Sequence, residues 1–516
     1  MQKKLLVLAV AGAIVAPVAM ANPTVYGTVN LSVDAVNGGQ TSATTNALAT
    51  DFIASGTSNQ DSAGIYSTAN FGTGTGIFAT NVAQARGLRA VFQPLALSDD
   101  SRTRVTSGNS FLGIKGSEKI NDSLSAVYQW EFSINFDQQD TSNLGANDNQ
   151  TTQSKRNTFA GLASKHFGTV TLGLQDTPLK TSTGPLDAFG NTVADYRSII
   201  GAFNGSVRAQ NSIMYVTPNL AGVQIKALYG MANETGNGNA SYYFPNSANP
   251  HVTSLSLAYA GGPVTAVVAR ERNIQTGSIS AVAGGGNSSS SAPVASPTFI
   301  TGSGLNSFFM IVPDVMPATA STTLGSMAWD TLTETTRAGL GLKFGGFKAG
   351  VAWEKTEADI NAVVNRPTAL NGTTTGFAGT GATFIGAAAA ATNGNLFTST
   401  AERRAYYVSA GYTFGSVTVL GAYGKAKDVD CTSNIPNAIG TSCAQSGNDT
   451  GAKQYSAGAT FALSKTTSVY GVYTKTKNET NGLYSVAGGA SGVAGVTPAD
   501  FGEDPSAISL GMKTSF

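Results

Sequence analysis

From end to end the chain alternates apolar and polar residues with a period of two, and the connections between alternating segments run strictly short, long, short, long. Leu124, Ala126, Tyr128, Trp130, Phe132 and Ile134 fall on one face of their segment; Ser125, Val127, Gln129, Glu131 and Ser133 fall on the other. This period marks β-strands with one apolar and one wet face. Short turns lie at 117–123, 167–168, 218–222, 260–263, 345–346, 414–416 and 464–467. Long polar stretches lie at 37–107, 137–154, 178–206, 232–250, 274–333, 356–400, 427–451 and 477–503. Seven short and eight long connections join sixteen strands. A soluble sandwich has no reason to keep every long loop at one end, and a β-solenoid would need a fixed repeat, which is absent. The expected architecture is all-β: a transmembrane 16-stranded antiparallel β-barrel with short periplasmic turns and long external loops.

Both ends agree with that expectation. Lys3 and Lys4 precede a mainly apolar stretch from Leu5 to Val18, and Ala19-Met20-Ala21 is a small-x-small cleavage pattern, so residues 1–21 read as a signal peptide. The mature chain, 22–516, then reads as one outer-membrane domain. No later run approaches the ~20 apolar residues of a membrane helix. The last segment alternates Ile508, Leu510, Met512 and Phe516 against Ser509, Gly511, Lys513 and Ser515. Such a strand is suited to pair with the first and leave no open edge in lipid.

Composition excludes several classes of function. Charged residues make up only 12% of the chain, and without Lys3 and Lys4 there are 29 basic against 30 acidic groups. Nucleic-acid binding would need a basic excess, so no nucleic-acid partner is expected. The two histidines, His166 and His251, lack partners at catalytic or metal-binding spacing, so no enzyme, metal or cofactor is expected. Cys431 and Cys443 share one polar stretch and in an exported chain can form a loop disulfide; free thiols are the alternative. Aromatics near strand ends, among them Trp130, Tyr229, Phe344, Phe347, Trp353, Tyr412, Phe414 and Tyr473, are expected to form girdles at the two membrane interfaces.

Four stretches resemble the Gram-negative general porins of the neisserial and proteobacterial type. Residues 110–118, followed by 126–131, resemble a strand–turn–strand element with a GxKGxE turn. Residues 156–162 and 167–173 resemble the hairpin before the family's constriction loop. Asn211-Ser212-Ile213-Met214-Tyr215, ending in Thr217-Pro218, resembles the strand after it. The strand ending in Phe516 resembles the family's assembly signal. Each motif is short; their order along the chain carries the resemblance.

The resemblance implies an outer-membrane location and a homotrimer embedded in lipid, assembled by the barrel-assembly machinery through its last strand. It also implies passage of ions and small hydrophilic solutes. A substrate-selective channel or a surface adhesion protein on the same barrel is the alternative. The resemblance further implies that residues 178–206 fold into the lumen as the constriction, with Asp187 and Asp195 facing Arg156 and Arg208 on the wall. By simple alternation Arg156 shares a face with Thr158, and Arg208 with Gln210 and Ser212, so both are expected to point inward, as are Lys115, Lys226, Arg337 and Lys348. Phe111 stands where many relatives carry another inward arginine, which would thin the basic lining. Arg86, Arg89, Arg102 and Arg104 are candidates to compensate.

Overall fold

The computed structural model describes residues 23–38, 101–136, 155–201, 208–231, 251–280, 326–365, 396–433, 449–482, 484–487, 496, 498 and 502–516. The expected leader, Arg86, Arg89 and the Cys431–Cys443 pairing lie outside the described residues, Cys431 entering only as backbone.

The strand segments are β1 (Thr24–Asn37), β2 (Arg102–Ser107), β3 (Phe111–Lys119), β4 (Leu124–Ser133), β5 (Lys155–Ser164) and β6 (Gly168–Asp176). Next come β7 (Arg208–Val216), β8 (Val223–Met231), β9 (His251–Gly261), β10 (Val264–Ser280), β11 (Ser326–Phe344) and β12 (Phe347–Asn365). The last are β13 (Leu396–Phe414), β14 (Val417–Ala426), β15 (Asp430–Ser433), β16 (Ala452–Ala462), β17 (Thr467–Asn478) and β18 (Ser506–Ser515). Two pairs of segments are each one interrupted wall strand. β2 and β3 lie end to end along β1, and β14 and β15 lie end to end along β13. The result is a closed ring of sixteen antiparallel wall strands.

Closure comes from β1 and β18, in register from Thr28↔Ser515 to Asn37↔Ser506. Gly27 and Phe516 exchange backbone hydrogen bonds of 3.0 and 3.2 Å at the end of this seam. A closed ring pairs its strand edges internally, which is the condition for a sheet to sit in hydrocarbon. At the short-turn rim, Phe344↔Phe347 and Phe414↔Val417 flank two-residue hairpins. Gly345 (φ +55°) and Gly415 (φ +60°) take the left-handed first position there, which side chains with a Cβ resist.

The faces sort as the alternation requires. Leu172, Leu257, Val268, Leu340, Val351, Val408 and Leu510 are exposed on the outer surface, while Asn30, Ser32, Ser254, Ser256, Thr335 and Ser456 are buried on the inner one. Phe414 and Tyr412 near the short turns and Tyr406 farther up the same strand bracket an apolar band roughly 20 Å tall, from a ~3.4 Å rise and ~40° tilt. Both levels are outward and exposed, matching a pair of interfacial girdles.

Several boundaries differ from expectation, at both ends of the loops expected at 274–333 and 356–400. The sequence reading begins a loop at Ile274, yet β10 continues to Ser280, and β11, β12 and β13 are each 19 residues long. A tilted strand needs only ~10 residues to cross a bilayer, so these strands rise well above the apolar band. Their outer faces there carry paired charges: Arg270 with Glu334 (3.2 Å) and Lys355 with Glu402 (3.0 Å) across strands, and Arg404 with Glu402 (2.6 Å) along β13. Above the membrane both faces are wet. The backbone ladder therefore persists while the apolar period that advertises a strand disappears.

Candidate functional site

The segment after β6 turns into the ring instead of outward. It starts with a short helix, α1 (Pro178–Ser182), whose N-cap Thr177 accepts from the Lys180 amide at 3.3 Å. It continues through tight turns at Gly184–Leu186 and Tyr196–Ser198. Leu179, Phe189, Val193, Ala194, Tyr196, Ile199 and Ile200 are almost wholly buried. The segment is fastened to the inner wall at widely separated strands. The Leu179 amide donates to Ser254 Oγ (3.0 Å), Ser409 Oγ donates to the Leu186 carbonyl (2.7 Å), and the Gly201 amide donates to Glu354 Oε1 (2.9 Å). On the far side, Asn30 Nδ2 donates to the Asn191 carbonyl (2.7 Å) and Asn109 Nδ2 to Asn191 Oδ1 (2.9 Å).

Glycines on the lumenal phase of the wall make room for this approach. A Cβ at Gly350 would sit 2.7 Å from the Leu186 carbonyl oxygen, and one at Gly458 3.1 Å from the Phe189 ring. Inward glycines on successive strands are a sequence signal for close backbone approach, one that the alternation alone does not reveal.

Arg156 faces the lumen, but not for the reason simple alternation gives. The β4–β5 register shifts between Trp130 and Phe132, so Glu131 stands opposite both Arg156 and Asn157. Thr158 instead pairs with outward Trp130. The bulge re-aims Arg156, as bulges do beside functional sites. Its Nε lies 3.7 Å from Glu131 Oε2, a terminal nitrogen donates to Asn109 Oδ1, and its guanidinium stacks 4.8 Å over the Phe111 ring. Phe111 therefore gives Arg156 an inward-facing platform, a contact the sequence reading missed. Glu131 also accepts from Tyr26 OH (2.6 Å) and Gln129 Nε2 (2.9 Å).

A second register shift, between Gly173 and Gln175, alters the β6–β7 pairing. It turns Ala209 inward, against Leu228 and Val252, so strand alternation does not carry Arg208 inward with Ser212. Arg208 sits at the strand end, where its Nε reaches Asp176 Oδ1 (3.0 Å) and Asn157 Oδ1 (3.3 Å). Lys180 Nζ is 2.8 Å from the same Asp176 oxygen. The carboxylates that accompany Arg156 and Arg208 are thus Glu131 and Asp176, neither singled out from sequence, and Lys180 on the inserted segment joins them.

Asp187 and Asp195 have a different geometry from the expected one, in which they face Arg156 and Arg208. Asp195 accepts from the amides of Asn191 (2.8 Å) and Arg197 (2.9 Å) and lies 3.8 Å from the Arg197 guanidinium. Asp187 Oδ1 accepts from the Phe189 amide (2.9 Å) and Tyr407 OH (2.8 Å), and its Oδ2 accepts from the Tyr196 amide (3.3 Å). Both are buried turn-forming groups, because short polar side chains satisfy nearby backbone amides wherever a segment leaves regular structure.

Burial, reinforced by the Asp195 carboxylate, pushes Asp187 from its ordinary 3.8 up to about 7. A raised value in the folded state means its stabilising contribution is complete below the ordinary value and is lost as pH rises through about 7. Asp187→Asn, which mimics the neutral acid, is expected to flatten the fall in thermal stability between acidic and mildly alkaline pH. Melting temperature against pH for both proteins checks this; parallel curves would contradict it.

Of the other positions singled out from sequence, Lys115 Nζ lies 4.5 Å over the lumenal Tyr26 ring. Arg337 is fully buried against Glu354 (2.7 Å). Arg104 lies 3.6 Å from Asp34 on the inner face. His166 lies in the turn between β5 and β6, and His251 stacks on Tyr229 with centroids 5.5 Å apart.

Comparison with known proteins agrees with this geometry. The profile of the Gram-negative porin family matches residues 6–296 and 314–481. The chain is 27% identical over 176 residues to the major outer membrane protein P.IA of Neisseria meningitidis serogroup B, covering 34% of this chain and 42% of that protein. It is 26% identical over 167 residues to an outer membrane porin of Bordetella pertussis, covering 31% of this chain and 41% of that one. The aligned part thus spans about two fifths of these curated relatives. Among solved structures, the fold is similar to an anion-selective porin from Comamonas acidovorans, with TM-score 0.52, 17% identity, and 96% and 100% of the two chains covered. It is also similar to Salmonella typhi OmpF in complex with daunomycin, with TM-score 0.50 and 14% identity; the match covers 96% of this chain and 98% of that one. With its closed sixteen-strand ring and a family profile matched over most of its length, the chain belongs to the Gram-negative porin family of outer-membrane β-barrels.

Proposed function

We propose that the protein is a water-filled channel through which ions and small hydrophilic solutes cross the outer membrane by passive diffusion, narrowed by the inserted segment 178–201. The observation that carries this reading is a closed ring, polar on its inner face, with one segment laid across its interior and bonded to strands on opposite sides. A ring of sixteen strands is too wide for side chains alone to fill, so the remaining lumen holds water.

The charges near the narrowing favour anions. Arg156, Arg208 and Lys180 outnumber Glu131 and Asp176, while Arg197 is offset by Asp195 and Asp187 is turned into the segment itself. The Comamonas acidovorans porin is titled anion-selective, and the same preference is proposed here. The assembly that goes with this reading is a homotrimer in lipid, as the family resemblance implies. Its last strand, with Phe516 exposed beyond the seam, would present the signal to the barrel-assembly machinery.

Planar-bilayer recording tests the reading. The expected result is stepwise current that rises with salt without saturating, together with a reversal potential favouring anions. Saturation or block by one solute would instead indicate a substrate-selective channel. Absence of current from folded protein would refute the channel.

A further inference from the structure

Residues between β17 and β18 also return to the lumen. Tyr484, Val486, Ala487 and Val496 are buried nearly completely, an unusual state for part of a long connection. Val486 and Val496 exchange backbone hydrogen bonds of 3.1 and 2.8 Å. With Ala487 they form one apolar cluster with Phe189 and Val193 of the inserted segment and Val472 of the wall. Asn478, ending β17, fixes the start of this arm: its Oδ1 accepts from the Tyr484 amide (2.8 Å) and its Nδ2 donates to the Tyr484 carbonyl (3.0 Å).

Tyr484 belongs to the same buried cluster as Tyr196 and Ile199, and its hydroxyl accepts from Arg403 Nη1 at 3.4 Å. Arg403 Nη2 donates to Glu354 Oε1 at 2.5 Å. The same oxygen accepts the Gly201 amide, while Glu354 Oε2 accepts from Arg337, whose Nη1 donates to the Leu179 carbonyl (3.2 Å). A single buried chain of polar contacts therefore joins both ends of the segment 178–201 to the arm at Tyr484.

We infer that this channel is narrowed by two inserted elements rather than one, and that the arm at Tyr484–Ala487, coupled to the first element through Arg403, sets its size limit and steadiness. The inference rests on the channel reading. The arm's apolar residues share one buried cluster with Phe189 and Val193, so a displacement of either element disturbs the packing of the other.

The test is single-channel recording and sugar-driven swelling of vesicles with the full-length protein, folding being checked by heat-modifiable gel mobility. Val486→Asp places a charge in the apolar cluster and is expected to raise conductance by roughly half again and admit larger sugars. Val486→Ala covers the case in which the charged variant does not fold, with a smaller rise in the same direction. Tyr484→Phe keeps the ring but removes the acceptor for Arg403, and is expected to increase current flicker. Wild-type conductance, size limit and flicker in both folded Val486→Ala and Tyr484→Phe would overturn the inference. Silence of the wild-type protein would instead strike the channel reading.

Discussion

Replacing Glu354 with alanine is expected to destabilise the folded barrel by about 3–5 kcal/mol, the range for removing one partner of a buried ion pair. Glu354 lies between Arg337 (2.7 Å) and Arg403 (2.5 Å), and all three side chains are fully buried. Its loss leaves two fully buried guanidinium groups without their counter-charge and releases the Gly201 amide. Two readouts should move together: a lower denaturant midpoint for the folded form, and noisier current as 178–201 loses its anchor. Glu354→Gln keeps an acceptor and should lie between the two. Exchanging all three groups for apolar residues of similar volume should recover much of the stability, since the penalty belongs to unpaired charge and not to absent charge. A Glu354→Ala barrel with wild-type stability and quiet current would show that the cluster holds nothing in place.

The double change Arg156→Ala with Arg208→Ala is expected to move the reversal potential in a salt gradient toward cations. Arg156 is held over Phe111 and beside Glu131, while Arg208 is tied to Asp176. Removing both leaves Asp176 with Lys180 and takes from Glu131 its ion-pair partner. A unit charge acting at ~4 Å through water is worth about 1 kcal/mol, or roughly a fivefold change in the ratio of cation to anion permeability. The loop carboxylates give the contrast. Asp187→Asn and Asp195→Asn should scarcely alter ion preference, because both groups are engaged with the segment's own amides. An unchanged reversal potential in the double arginine variant would remove those residues from the selectivity account.

The wall was legible in the sequence because lipid on one side and water on the other impose a two-residue period on every strand. The seven turns follow from Gly- and Ser-rich punctuation such as Gly345-Gly346, and the seam between β1 and β18 from the alternation at both ends. The tall parts of β10 to β13 were not legible, because Arg270, Glu334, Glu357 and Arg404 lie where both faces meet water. At the site, Arg156 was found through a register that the bulge opposite Glu131 invalidates, and Arg208 was placed by an alternation that the shift near Gly173 breaks. Bulges insert one residue without a fixed sequence signature, so phase is lost where functional side chains are re-aimed. The roles of Asp187 and Asp195 depend on backbone amides a few residues away, and residue identity alone does not reveal which way such a carboxylate turns.

Swelling of vesicles containing the purified protein, measured with a series of neutral sugars of increasing size, decides whether the ring encloses an open aqueous path. A closed ring with a wet, partly obstructed lumen predicts fast swelling with the smallest sugars and a graded decline to none with larger ones. Vesicles that remain osmotically intact toward every sugar, although the protein in them is folded, would mean that the cylinder encloses no continuous aqueous path wide enough for even the smallest of these solutes.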